Sequence, residues 1–210
     1  MTRVLIADDH QVVRHGLRQI LQDEFKEFHI GEANDSAQAV ELVASKTWDL
    51  VLLDINMPGR GGLDALAEIR RLRPKLPILV LSAAPEAEYA VRALKAGAAG
   101  YINKQFASDE LIVAVRKVMG GGVYASGMVA ETLLSGLKAG GEKALHEKLS
   151  DRELHVFRLI GMGRSVKEIA AELSLSDKTV ATYLARIKEK TGLKSYVEIT
   201  RYAFQNKLVE

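Results

Sequence analysis

The chain has 210 residues, 48% hydrophobic and 27% charged, with no cysteine and a net charge of +2. This is an ordinary globular composition, longer than a typical domain of ~100 to 150 residues, so two modules are expected. It excludes disulfides and thiolate metal sites, and no long apolar segment points to a membrane partner. A first strand starting at Arg3 or Val4 leaves no room for a signal peptide, so a cytoplasmic protein is expected.

Val4-Leu5-Ile6-Ala7 is a short apolar run that ends in Asp8 and Asp9. Apolar residues at helical spacing follow over 12–22, then an alternating run over 28–33 that fits an edge strand, then a second helical pattern over 36–45. Leu50 to Leu53 is unbroken and apolar, as a strand buried on both faces of a parallel sheet requires, and it ends on Asp54. Pro58-Gly59 with Gly61-Gly62 forces a loop soon after. Ligands of open α/β sheets bind outside the carboxyl ends of the strands, which makes Asp54 a candidate for chemistry; a solvated loop acid is the other reading its position allows. A helix over 63–71, a strand over 78–81 ending in Ser82, a helix over 86–96 and a strand over 100–102 before Lys104 come next. A fifth helix over 108–119, with Ser108 as N-cap candidate, completes the alternation. Its order predicts an α/β doubly wound parallel five-stranded sheet.

Parallel strands leave their terminal acids at one edge, so Asp8, Asp9 and Asp54 are expected to meet. Like charges that close raise one another's pKa, and such a cluster persists mainly with a cation in it. Mg²⁺ suits it best, being a hard cation that takes a few carboxylate oxygens, keeps several waters and completes its octahedron with phosphate oxygens. Ser82 and Lys104 bring a hydroxyl and an ammonium to the same rim, the groups that neutralise a transferred phosphoryl. His10, His15 and His29 show neither metal spacing nor a nucleophile partner and are read as surface residues.

Asp8-Asp9, Asp54, Ser82 and Lys104, with Tyr101 three residues before the lysine, resemble the phosphoacceptor site of a bacterial response-regulator receiver domain, over roughly residues 3–119. The resemblance implies a flavodoxin-like receiver. Asp54 would be phosphorylated by a sensor histidine kinase, Asp9 would bind Mg²⁺ directly and Asp8 largely through water. Asn56 would give the metal its backbone carbonyl, Ser82 and Lys104 would hold the phosphoryl oxygens, and Tyr101 would be the switch aromatic that turns inward with Ser82. Gln105 departs from the pattern, where many receivers carry a proline and a cis bond.

Gly120-Gly121-Gly122 closes the receiver, taken as 1–120. Residues 121–148 read as a linker with a helix near 128–138 and a Gly-Gly stretch of mixed charge after it. Residues 149–210 show no strand pattern and four helices. Ser150 and Glu153 form a candidate capping box for the first, whose apolar side is Leu154, Phe157, Leu159 and Ile160, and Gly161 and Gly163 end it. A short helix over 166–173, a tight turn at Leu175-Ser176 and a longer helix over 177–191 capped by Ser176 make a helix-turn-helix; an ordinary small bundle is the alternative. Charge agrees only weakly with nucleic acid, because 11 Lys and Arg stand against 8 Asp and Glu here, while residues 1–120 hold 15 against 16.

Leu149-Ser150, Arg152-Glu153, Gly163, Lys167-Glu168-Ile169-Ala170, Leu173, Ser176, Thr179-Val180, Ile187 and Lys190 resemble the LuxR-type DNA-binding domain. Together with the receiver they resemble the NarL/FixJ family of response regulators. Val166, Ala181, Tyr183 and Tyr196 depart from the usual residues. The resemblance implies a phosphorylation-dependent homodimer on double-stranded promoter DNA, regulating transcription rather than acting as an enzyme. A haloacid-dehalogenase-type aspartyl-phosphate hydrolase would want a second acid where Asn56 stands, and an inserted cap domain. A regulator that binds DNA without phosphorylation is the remaining alternative.

At 100° per residue, Val180, Leu184 and Ile187 share the inner side of the third helix, which turns Lys178, Ala181, Thr182 and Ala185 outward. Lysine can donate to guanine, whereas alanine and the threonine methyl can only touch a thymine methyl. Thr179, Tyr183, Arg186 and Lys188 are candidate phosphate contacts. The last helix, with Val197, Ile199, Tyr202, Ala203 and Phe204, is the expected contact between two such domains.

Overall fold

A computed structural model describes the chain except for residues 58–61, 83–85, 105–107, 128, 131–143, 174, 207 and 210. The loop expected at Pro58-Gly59 and Gly61, the Lys104-Gln105 bond, and most of the helix and Gly-Gly stretch expected over 128–143 lie outside the described residues. The chain divides into two compact units, Met1–Gly140 and Gly141–Glu210.

The first unit alternates strand and helix throughout: β1 Thr2–Ala7, α1 Gln11–Glu24, β2 Phe28–Ala33, α2 Ser36–Ser45, β3 Leu50–Asp54, α3 Gly62–Leu72, β4 Ile78–Ser82, α4 Glu86–Lys95, β5 Gly100–Asn103 and α5 Ser108–Met119. Every pairing is parallel, in the order β2-β1-β3-β4-β5, so β2 is an edge strand as its alternation predicts. All residues of β3 and β4 are buried, which is why both read as unbroken apolar runs. Val4, Ile6, Leu50, Leu52, Leu79, Leu81 and Ile102 line one face and pack on Leu21 of α1 and on Leu111, Ala114, Val115 and Val118 of α5.

Two close approaches shape this unit. Gly62 opens α3 directly against the end of β3, and a Cβ there would stand 2.2 Å from the Ile55 Cα and 2.8 Å from the Asp54 carbonyl oxygen, so a residue without a side chain is required. At the β5 edge the chain returns after α5: Tyr124 N donates to the Ala99 carbonyl at 2.9 Å and Tyr101 N to the Tyr124 carbonyl at 3.2 Å. This bridge extends the sheet by one parallel rung, which no periodicity announced.

The second unit is helical. A 3₁₀ turn, Leu145–Lys148, precedes α6 Asp151–Gly161, α7 Val166–Glu172, α8 Asp177–Thr191 and α9 Tyr196–Gln205. The Ser150–Glu153 capping box forms as expected, and a second one, Ser165–Glu168, starts α7. Ser176 caps α8 by accepting from Thr179 N. Glu153 is almost wholly buried; besides accepting from Ser150 N it takes a 2.6 Å bond from Lys190 Nζ, tying the start of α6 to the end of α8.

The 3₁₀ turn falls at the end of the linker expected over 121–148, past the one helix expected there. Tyr202 Oη accepts from Leu145 N at 3.0 Å and lies 3.1 Å from His146 Nδ1, which holds these residues on α9. The same contact corrects the surface expected of the last helix. Ile199 and Ala203 are fully buried and Tyr202 is engaged with its own domain, its ring edge-on to Phe157. Val197 and Phe204 stay exposed, at 76% and 68%.

Candidate functional site

Strand register assembles the acidic site. Ala7 pairs with Leu53 and Asp54 with Leu81, while Ser82 pairs with Asn103, so the residues just past β1, β3, β4 and β5 share one edge. Ile55 N donates to Leu81 O and Lys104 N to Ser82 O at 2.8 Å, which carries the alignment beyond the strands. Asp8 and Asp54 are each 1% exposed, and Ser82 and Tyr101 are buried.

Lys104 Nζ lies between the two buried acids, 2.7 Å from Asp54 Oδ2 and 2.6 Å from Asp8 Oδ2. Asp54 Oδ1 accepts from Asn56 N at 2.9 Å, and Asn56 Nδ2 donates to Ser82 Oγ at 3.2 Å. Burial pushes the Asp54 carboxyl above the usual carboxylate range, against the pull of Lys104 and the Asn56 amide. Burial would draw Lys104 down, but Asp54 and Asp8 outweigh it and hold the ammonium above its ordinary value.

Asp8, Asp9, His10 and Asp54 each offer one ligand atom, and these atoms all lie within 4.8 Å of one another. Three carboxylates beside one ammonium leave a net charge that a divalent cation balances, and hard oxygen donors suit Mg²⁺. Two neighbours were not legible in the sequence. His10, correctly read as exposed, nonetheless reaches the cluster, with Nδ1 2.8 Å from Asp9 Oδ1. Arg14 on α1 donates through Nη1 to the Asp8 carbonyl at 2.8 Å and through Nε to Glu32 Oε2 at 3.1 Å. Burial would raise Glu32, but its bonds to Arg14 and Arg18 prevail and lower its pKa. An arginine one turn into α1 carries no pattern that points to a carbonyl behind it, so only the folded chain reveals this brace.

In the second unit, Lys178, Ala181, Thr182 and Ala185 are exposed along α8, while Val180 and Ile187 are buried. Leu184, expected inside with them, is only half-buried. Lys178, Thr179, Thr182, Tyr183 and Arg186 line, with Ser176, a shallow groove of about 330 Å³. Several of these groups are already engaged. Thr179 Oγ1 lies 2.8 Å from Ser176 Oγ, Thr182 Oγ1 donates to the Lys178 carbonyl at 2.9 Å, and Lys188 Nζ stands 5.9 Å over the Tyr196 ring.

Known proteins match both units. The profile of the response regulator receiver domain matches residues 4–116, and that of the bacterial regulatory proteins of the luxR family matches residues 147–203. The chain is 36% identical over 209 residues to the response regulator UvrY of Escherichia coli, covering 99% of this chain and 96% of that protein. It is 34% identical over 211 residues to the response regulator GacA of Pseudomonas aeruginosa, covering 100% and 99%. Its fold is similar to that of RcsB from Salmonella enterica serovar Typhimurium, in a structure bound to promoter rprA in the presence of phosphomimetic BeF₃⁻. There the TM-score is 0.61 at 26% identity, over 96% of this chain and 97% of that one.

The chain therefore belongs to the NarL/FixJ family of response regulators, DNA-binding transcription regulators that join a receiver to a LuxR-type domain. No helix among the described residues is long and apolar enough to cross a membrane.

Proposed function

We propose that residues 1–120 are a receiver whose Asp54 takes a phosphoryl group from a sensor histidine kinase, and that residues 149–210 then bind promoter DNA as a dimer, with 121–148 connecting them. The observation that carries the reading is Asp54 itself, a buried carboxylate at the carboxyl edge of β3, 2.7 Å from the Lys104 ammonium and within 4.8 Å of the ligand atoms of Asp8 and Asp9. Its carboxylate attacks phosphorus in line; the bond to the kinase imidazole breaks and an aspartyl phosphate forms. Asp8, Asp9, Asp54 and the Asn56 carbonyl would hold Mg²⁺, which neutralises phosphoryl charge when bound.

Lys104 and Ser82 bind phosphoryl oxygens. Ser82, 3.2 Å from Asn56 Nδ2, and the buried Tyr101 together form the switch through which phosphorylation acts. On DNA, Lys178 reads bases, Ala181, Thr182 and Ala185 meet thymine methyls, and Thr179, Tyr183, Arg186 and Lys188 position the backbone. The setting is the cytoplasm.

The test is intact-mass spectrometry with a small phosphodonor and Mg²⁺. Wild type is expected to gain one phosphoryl group and Asp54→Asn none; phosphorylation of that variant at the wild-type rate overturns the assignment.

A further inference from the structure

The residue that opens α1 does not behave as a cap. N-cap positions favour Ser, Thr, Asp or Asn, whose short side chains accept from the first turn. Here the position is held by His10, which makes no capping bond. Its backbone N donates to Asp8 Oδ1 at 2.8 Å, and its ring meets the acids, with Nδ1 2.8 Å from Asp9 Oδ1 and 3.5 Å from Asp8 Oδ1. Asp9 Oδ1 is shielded from solvent and accepts no well-directed hydrogen bond among the described residues. The imidazole nitrogen thus stands in one donor set with the three carboxylates.

We propose that His10 is a nitrogen ligand of the receiver's cation site, and that it lets the site take Zn²⁺ in competition with Mg²⁺. The proposal rests on reading the acidic cluster as a cation site. Mg²⁺ prefers oxygen and keeps its waters, so it gains little from an imidazole. Zn²⁺ takes histidine nitrogen and carboxylate oxygen together, and imidazole is a ligand type that suits Zn²⁺ whereas carboxylate, carbonyl and water suit Mg²⁺. His10 accordingly discriminates between two classes of ion at one cluster. The exposure of its ring, 68%, leaves it room to swing onto an ion without repacking the core.

Calorimetric titration of the full chain at one fixed pH, with MgCl₂ and with ZnCl₂ separately, tests this on wild type, His10→Ala and Asp9→Asn, with His15→Gln as a control for surface histidines. His10→Ala is expected to weaken Zn²⁺ binding by about tenfold or more while leaving Mg²⁺ within about twofold, and excess Mg²⁺ is expected to displace Zn²⁺ from wild type. With Co²⁺ in place of Zn²⁺, the visible absorption band should shift when the nitrogen is removed. If Mg²⁺ responds to Asp9→Asn but Zn²⁺ ignores His10→Ala, or if His10→Ala weakens both ions alike, the His10 proposal is overturned and the cation site stands. If neither ion responds to Asp9→Asn, the cation site itself fails, and the proposal with it.

Discussion

Asp54 is a carboxyl held in burial at the edge of the sheet. Its carboxyl pKa is raised chiefly by burial, so between the ordinary carboxylate value and the raised one the folded chain holds a proton that the unfolded chain releases. Stability therefore falls as pH rises through that window, and above it the ionised Asp54 is a net cost. Asp54→Asn should stabilise the cation-free protein by on the order of 1 kcal/mol in urea unfolding, and added Mg²⁺ should shrink the difference. A variant less stable than wild type without cation would contradict this. His155 runs the other way. Burial, with Arg152 and Arg158 beside it, lowers its pKa from 6.5 to about 4. Between those values the unfolded state binds the extra proton, so its contribution is complete above about 6.5 and drains away as pH falls toward 4. An NMR titration should place the His155 ring midpoint near 4. A midpoint at the ordinary histidine value would remove the argument, whereas His155→Leu should flatten the acid-side loss of stability.

Elements are held here by contacts that admit little variation. A Cβ on Gly161 would stand 2.7 Å from the Ala203 Cβ and 3.1 Å from Val209 Cγ1, so α6 and α9 touch through a position that has no side chain. Gly161→Val should push α9 outward and cost about 1 to 3 kcal/mol of overpacking, measured as a lower unfolding midpoint. No loss would mean that α9 shifts freely. The capping boxes show how unevenly a sequence speaks at this scale. Ser150-Glu153 was readable from spacing, yet the 2.6 Å bond from Lys190 to that same Glu153 was not, because the partners are 37 residues apart. Likewise α9 looked like one apolar surface in sequence. Packing on α6 consumed Ile199 and Ala203 and left Val197 and Phe204 outside.

The whole molecule joins a receiver, with acids gathered at one edge of its sheet, to a LuxR-type DNA-binding domain. Lys178→Ala should relax base preference and cost on the order of 1 to 3 kcal/mol at a mapped site, while Lys188→Ala should weaken all sequences alike and flatten the salt dependence. Replacing each thymine of that site by uracil removes only the methyl, and undiminished affinity everywhere would show that Ala181, Thr182 and Ala185 are spacers. Much of this was legible in one dimension. The parallel sheet, the acids at its edge and the outward stripe of α8 all follow from local rules: unbroken apolar runs mark doubly buried strands, chain direction places their last residues at one rim, and a 3.6-residue period sorts the faces of a helix. What required the fold is whatever depends on distance across the chain. The reach of His10 to Asp9, the Arg14 brace under Asp8, the Tyr124 rung beside Tyr101 and the Tyr202 hold on Leu145 join groups whose side-chain directions no period predicts. Periodicity tells which way a residue faces; only tertiary packing decides what it meets there.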